Sequence, residues 1–289
     1  MTQEPPAEPV PLGAIRVAAG ARTHVGRVRA TNEDSYLEAA PIYMVADGMG
    51  GHNAGEVASA IAVEEFEKLT LQDTVTIDQL GDTLRAAGRR IAEVGGSGLL
   101  SAGTTVALVA TMVIDGTGYW VVMNLGDSRV YRLSDEIFEQ VSVDHSVVQE
   151  LMDRGDITAE EALRHPHRHM VTRALGGGPD SEPDYWLIPA EPGDRMLICS
   201  DGLSGEVDDA TIERVLRSGD PVQQACDTLV ELALDAGGHD NVTVVLAEAL
   251  EVGDPPGDAT GPTARTHDGG LVDIDEDTLP RSIPGDASS

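Results

Sequence analysis

The sequence predicts an α+β domain built in layers, sheet packed on sheet with helices outside. Three observations predict it. The β-rich runs TTVALVATMVI, YWVVMNLG, SRVYRL and IFEQVS follow one another, joined by the turns DGTG, GDS and SDE. Such connections are too short to hold a crossover helix, so these strands are expected to form an antiparallel meander. Helical periodicity falls in pairs of segments on either side of that block. Finally, 41% of the residues are hydrophobic but only 3% aromatic, so a sizeable core must be built mainly from Val, Leu, Ile and Ala. Layering sheet on sheet is a natural way to bury strands that are apolar at so many positions.

Taken in chain order, YMVADGMGG reads as a strand ending in a Gly-rich turn. Ala54 to Leu69 reads as a helix, with Val57 and Ile61 on an apolar face and Glu64 and Glu65 on an acidic one. Ile77, Leu80, Leu84, Ile91 and Val94 fall near helical spacing and predict a second helix. After the meander, DRMLICSDG and NVTVVLAEAL supply two more strands, and Asp209 to Arg217 and Val222 to Ala236 read as the helices between them. Residues 1–13 are Pro-rich and expected to be disordered, and residues 14–250 form the folded domain. Residues 251–289 are rich in Gly, Pro, Asp and Ser, a composition that cannot bury enough apolar surface to offset its ordering entropy. An acidic, disordered tail is expected there. LVDIDEDTLP within it reads as a solvated stretch or as a docking motif.

Fifty acidic against nineteen basic side chains give a formal charge of −31. Nucleic acid and anionic membrane surfaces would be repelled and are excluded as partners. Such acidity serves solubility, and it also suits carboxylates neutralised by bound cations. Cys199 and Cys226 are the two cysteines, each in an apolar context that predicts a buried free thiol and a reducing compartment. The N-terminus lacks the basic flank and apolar run of a signal peptide, and no stretch approaches the roughly 20 apolar residues of a membrane span. A cytoplasmic protein is expected.

The informative residues are acids at strand ends. Asp47 ends YMVADG, Asp127 ends VVMNLGDS, Asp201 ends LICSDG, and Asp240 opens the run into NVTVVL. A strand end holds a side chain more rigidly than a free loop does, and a neighbouring Gly lets backbone approach an ion closely. Hard cations such as Mg²⁺ and Mn²⁺ take carboxylate and carbonyl oxygens. Crowded carboxylates repel one another unless a cation neutralises them. One Asp-Gly alone is only a turn signal; four acids after or before apolar strands point to a cation site. GRVRATNEDS adds Glu33 and Asp34, with Arg29 suited to hold a phosphate through two parallel hydrogen bonds.

GRVRATNEDS, VADGMGGHNAGEVAS, SAGTTV, LGDSRVYRL, CSDGL and GHDNVTVVL, in that order, resemble the bacterial branch of the PPM/PP2C family of metal-dependent protein phosphatases. The resemblance runs from about Ala14 to Ala249. It implies a four-layer αββα sandwich, two antiparallel sheets flanked by helix pairs. It also implies a protein serine/threonine phosphatase with two Mn²⁺ or Mg²⁺ ions per chain and a third, weaker site.

By that resemblance Asp47 bridges two metals, Asp201 and Asp240 complete one site, and Glu33 and the carbonyl of Gly48 complete the other. Asp34 orients metal-bound water, Arg29 holds the substrate phosphate, and Asp127 joins Asp201 at the third site. Two cations sharing a water generate a hydroxide for in-line attack on phosphorus. Where eukaryotic members carry a His after the Asp-Gly, this chain has Met49. His52, His145 or a metal-bound water is then left as the proton donor, a structural or solvent-facing role being the leading reading for both histidines. Residues 152–175 resemble the mobile flap of bacterial members. Their RHPHRH stretch, with His165, His167 and His169, is the most basic patch in the chain. The implied partners are phosphorylated proteins, substrates of a bacterial Ser/Thr kinase, and the chain is expected to be monomeric. The alternatives are a pseudophosphatase that docks partners and a hydrolase of small phosphomonoesters.

Overall fold

Alternating burial runs along the central strands and decides the architecture. In a computed structural model describing residues 11, 13–50, 54–95, 102–135, 137–176, 182–253, 264–267 and 270–273, Ile42, Met44 and Ala46 face one apolar cluster while Tyr43 and Val45 face another. A strand buried on both faces must have a layer above and a layer below it. The strands in chain order are β1 (Ile15–His24), β2 (Asp34–Ala39), β3 (Ile42–Met49), β4 (Gly103–Thr104), β5 (Val106–Ile114), β6 (Thr117–Leu125), β7 (Arg129–Ser134), β8 (Ile137–Gln140), β9 (Asp184–Pro189), β10 (Arg195–Cys199), β11 (Val242–Val252), β12 (Ala264–His267) and β13 (Gly270–Asp273). The helices are α1 (Ala54–Glu67), α2 (Ile77–Gly95), α3 (Val147–Asp153), α4 (Ala159–Ala162), α5 (Asp201–Ser204), α6 (Asp209–Leu216) and α7 (Val222–Ala236).

One sheet has the order β1-β11-β10-β7-β8 and the other β13-β12-β9-β6-β5-β3-β2, with β4 on the end of β3. All the pairings are antiparallel. Three apolar interfaces separate four layers. Tyr43, Val109, Trp120 and Val122 of one sheet meet Val130, Ile198, Val245 and Ala247 of the other. Phe66 of α1 and Leu80, Leu84 and Ile91 of α2 cover the larger sheet. Ile212 of α6 and Cys226, Leu229 and Val230 of α7 cover the smaller one. This is the expected αββα sandwich.

The expected meander is corrected to two hairpins in different sheets. β5 pairs β6 and β7 pairs β8, but the Gly126–Ser128 link carries the chain from one sheet to the other. Gly126 makes that passage possible: its φ is +120°, and a Cβ there would lie 2.5 Å from Thr105 Cγ2.

The first helix ends at Glu67 and tightens into a 3₁₀ turn over Lys68–Leu71. Its faces also differ from expectation, with Val57 40% exposed and Glu65 6% exposed. Arg90 of α2 and Lys68 pair with the Glu65 carboxylate and hold it below the usual range, which makes its burial tolerable. Cys199 and Cys226 are buried free thiols, as expected.

Residues 1–10 and most of 251–289 lie outside the described residues. Within the expected tail, however, β12 and β13 form backbone pairs with each other and β12 with β9. The open N–H and C=O groups of the β9 edge give an extended segment somewhere to bond despite its polar composition. No described helix is long and apolar enough to cross a membrane.

Candidate metal centre

Register brings the acids to one rim of the sandwich. Asp34, the first residue of β2, stands directly opposite Asp47 near the end of β3. Residues paired in this way project from the same face of an antiparallel sheet. Val45 pairs Ala107 and Ala107 pairs Asn124, so the end of β6 and the link holding Asp127 reach the same edge. In the other sheet Cys199 pairs both Arg129 and Val244. The chain therefore leaves β10 at Asp201, enters β7 after Asp127 and enters β11 after Asp240, all at that rim. The packing of the sheets, with β3 against β10 and β11, closes the two halves on each other.

Hydroxyl and amide groups fix these acids. The Asp47 backbone N–H donates to Thr105 Oγ1 at 3.0 Å. Its carbonyl accepts from Thr105 N at 2.9 Å and Thr104 Oγ1 at 3.0 Å. Gly48 N donates to the Glu33 carbonyl at 3.1 Å, and a Cβ on Gly48 would lie 2.3 Å from the Gly55 carbonyl oxygen. Only glycine allows β3, the Glu33 segment and the start of α1 to meet there. Asp201 opens α5 after Ser200, whose hydroxyl accepts from Thr243 N at 3.0 Å.

The electrostatics are those of an acidic cluster whose mutual repulsion Arg29 offsets only in part. Burial, then Asp34, Asp201, Asp127 and Asp240, drive the Asp47 carboxyl well above its ordinary value. Burial pushes Asp34 up to about 7, reinforced by Asp201 and Asp240. The hydroxyls of Thr243 and Ser200 act in the opposite direction on Asp34, but neither makes a well-formed bond, and both its carboxylate oxygens are buried without a partner. Asp127 is likewise pushed up to about 7 by burial and then by Asp201 and Asp144. Asp201 is raised by burial and then by Asp240, and lies within hydrogen-bonding reach of Asp47. Glu33 is raised by burial, with Arg29 opposing the shift. The side chains of Asp201 and Asp240 are 29% and 34% exposed, so the cluster is open to solvent.

Arg29 Nη2 donates to Asp240 Oδ2 at 2.6 Å, a contact that raises the pKa of its guanidinium. Among the described residues no three His, Cys, Asp or Glu side chains are already closed around one metal-sized point. Converging hard oxygen donors, and buried carboxylate oxygens with no partner, nevertheless fit divalent cations such as Mn²⁺ or Mg²⁺. Among the described residues, His169 keeps its Nδ1 4.0 Å from Asp201 Oδ2, and the acids of the rim offer oxygen donors.

His52 lies outside the described residues. His145, the other histidine offered as a proton donor, has the structural role that is the leading reading for it. It is 5% exposed, its Nδ1 accepts from Gly126 N at 3.1 Å, and its Nε2 lies 3.3 Å from Asp184 Oδ2. With Nδ1 accepting, Nε2 carries the hydrogen toward Asp184. His145 thereby ties the inter-sheet link to the flap, whose Thr172 N donates to its carbonyl at 2.8 Å. His165 and His167 lie with ring centroids 5.6 Å apart, while His169 leans toward Asp201. The flap itself contains α4, capped by Thr158 and Glu161 in a reciprocal box, a signal visible in the sequence as TAEE. Sequence reasoning missed Thr105, Ser200 and Asn241. Thr105 had a readable cue, a polar pair opening an otherwise apolar strand.

Known proteins are similar to this chain in sequence and fold. The family model described as Protein phosphatase 2C matches residues 24–250. The chain is 35% identical over 238 residues to the serine/threonine phosphatase stp of Listeria innocua, covering 78% of this chain and 94% of that relative. It superposes with a TM-score of 0.76 on the serine/threonine phosphatase PstP/Ppp of Mycobacterium tuberculosis, at 39% identity and covering 81% of this chain and 99% of that one. A structure of the PstP catalytic domain in complex with two manganese ions matches with a TM-score of 0.73 at 38% identity, again over 81% of this chain and 99% of that one.

Proposed function

The chain belongs to the protein phosphatase 2C family, and from that premise we propose that it hydrolyses phosphoserine and phosphothreonine in proteins at its acidic rim. It is a metal-dependent serine/threonine phosphatase. The observation that carries the local assignment is the register that sets Asp34 directly opposite Asp47, with both Asp34 carboxylate oxygens buried and unpartnered. Asp47, the central member, would contribute its carboxylate to a pair of divalent cations; the similar PstP catalytic domain binds two manganese ions. Asp201 and Asp240 would hold one of them, and Glu33 with the Gly48 carbonyl the other. Asp127 with Asp201 would hold a third. When bound, such cations lower the pKa of a water molecule and neutralise charge on phosphoryl oxygens.

The side chains divide the remaining work. Arg29 moves from Asp240 to the substrate phosphate and aligns it for in-line attack. Asp34, buried and unpartnered, accepts hydrogen bonds from water and orients it. His52 is the chain's candidate for protonating the leaving alkoxide. Phosphoproteins modified by a bacterial Ser/Thr kinase are the proposed substrates, the chain acting as a monomer. The deciding experiment is hydrolysis of phosphoserine, phosphothreonine and phosphotyrosine peptides with and without Mn²⁺. Metal-dependent turnover of the first two is expected, and Asp47→Asn should reduce it at least ~1,000-fold, about 4 kcal/mol of transition-state stabilisation. Turnover without metal, or retained by folded Asp47→Asn, contradicts the assignment.

A further inference from the structure

The acids of the rim come from distant parts of the chain, and one amide joins the two most distant. Residues 25–33, which carry Arg29 and Glu33, belong to no strand or helix. Asn241 is 6% exposed, and its side chain reaches this segment at three points. Its Oδ1 accepts from Glu33 N at 2.8 Å, across a sequence separation of 208. Its Nδ2 donates to the Val25 and Thr31 carbonyls, each at 2.9 Å. Its own backbone N–H donates to Asp240 Oδ1 at 2.8 Å. Every hydrogen-bonding group of this side chain is thus used on backbone beside Arg29 and Glu33, while its main chain restrains Asp240.

We propose that Asn241 is a positioning residue of the metal centre, clasping the Arg29–Glu33 segment to the start of β11 so that Glu33 and Asp240 keep a fixed spacing. The inference rests on the assignment of those two acids as metal ligands. The chemistry needs a carboxamide of this length. Aspartate of the same shape keeps the acceptor and loses both donors, and leucine loses all three bonds. The carbonyls of Val25 and Thr31 and the N–H of Glu33 would then seek other partners, and the segment would leave its place. Residues that orient metal ligands without touching the metal typically change affinity by 10- to 100-fold.

Titration calorimetry with Mn²⁺ on the full chain tests this, alongside kcat and KM for a phosphothreonine peptide and far-UV circular dichroism. Asn241→Asp and Asn241→Leu are expected to stay folded, to bind Mn²⁺ roughly 10- to 100-fold more weakly, and to raise KM through the displaced Arg29. A lowered melting temperature with Mn²⁺ affinity and KM unchanged would mean an ordinary structural asparagine and overturn the proposal. Should both variants fail to fold, hydrogen exchange on the wild-type chain decides. The Glu33 amide must then be protected as strongly as the amides at the start of β11, and free exchange there overturns the clasp. A wild-type chain that binds no Mn²⁺, or binds it equally well after Asp47→Asn, refutes the ligand assignment instead.

Discussion

A carboxylate whose oxygens are both buried and unpartnered is costly to keep ionised, and Asp34 is in that position. Its pKa of about 7 lies above the ordinary aspartate value of about 3.9, so the folded state binds the proton more tightly than the unfolded chain does. Stability from this group is therefore complete below about pH 4 and is lost as pH rises toward and through 7. The metal-free protein should lose up to ~4 kcal/mol from this source between about pH 4 and 8, and Asp34→Asn should remove that part of the loss. Urea unfolding with and without Mn²⁺ checks both points, since a cation bound only to the folded state should offset the loss. A wild-type and Asp34→Asn pair with identical pH profiles would contradict the burial described for Asp34. Asp47, Asp127, Asp201 and Asp240 were legible in the sequence because each marks the end or start of an apolar strand, whereas Glu33 and Asp34 were legible only through the GRVRATNEDS motif. Asn241 was not, because its bonds run to the backbone of Val25, Thr31 and Glu33, which no local pattern connects to it.

Among the elements, the link between β6 and β7 carries the most consequence. It moves the chain between sheets, bears Asp127, and packs Gly126 on Thr105, which holds Asp47. Gly126→Ala would place a methyl group against Thr105 at a positive φ, so a loss of about 2–4 kcal/mol in stability is expected, together with weaker Mn²⁺ binding. Denaturant titration and calorimetry measure the two effects. An unchanged Mn²⁺ affinity would show that the link does not position Asp47. The four long helices α1, α2, α6 and α7 and the strands of the central block were legible from period alone; α7 falls at the expected Val222–Ala236. The change of sheet was not, because GDS resembles a hairpin turn and short-range pattern says nothing about which sheet receives the next strand. The helices of the flap were overlooked for a different reason. They are short, seven residues in α3 and four in α4, and Leu163 at the C-cap of α4 is 76% exposed.

For the whole molecule, a formal charge of −31 should attract basic phosphopeptides over acidic ones, an effect that salt screens. KM for a peptide with flanking Arg and Lys should rise with ionic strength, while that for a neutral peptide should change little. Equal salt dependence would place the charge away from the substrate path. Deleting residues 254–289 should leave turnover of a small aryl phosphate intact, because among the described residues β12 pairs with β9 and β13 and not with a strand that carries a proposed metal ligand. A large loss would make that segment part of the catalytic unit. The layered fold was legible in the composition and strand grouping, whereas the convergence of the rim depends on register between strands far apart in sequence. Diffraction from Mn²⁺-soaked crystals at the manganese absorption edge tests that convergence most directly. Two anomalous peaks about 3.5–4 Å apart are predicted, with Asp47 touching both, Asp201 and Asp240 on one, and Glu33 and the Gly48 carbonyl on the other. Peaks elsewhere, or none at this rim, would contradict the account.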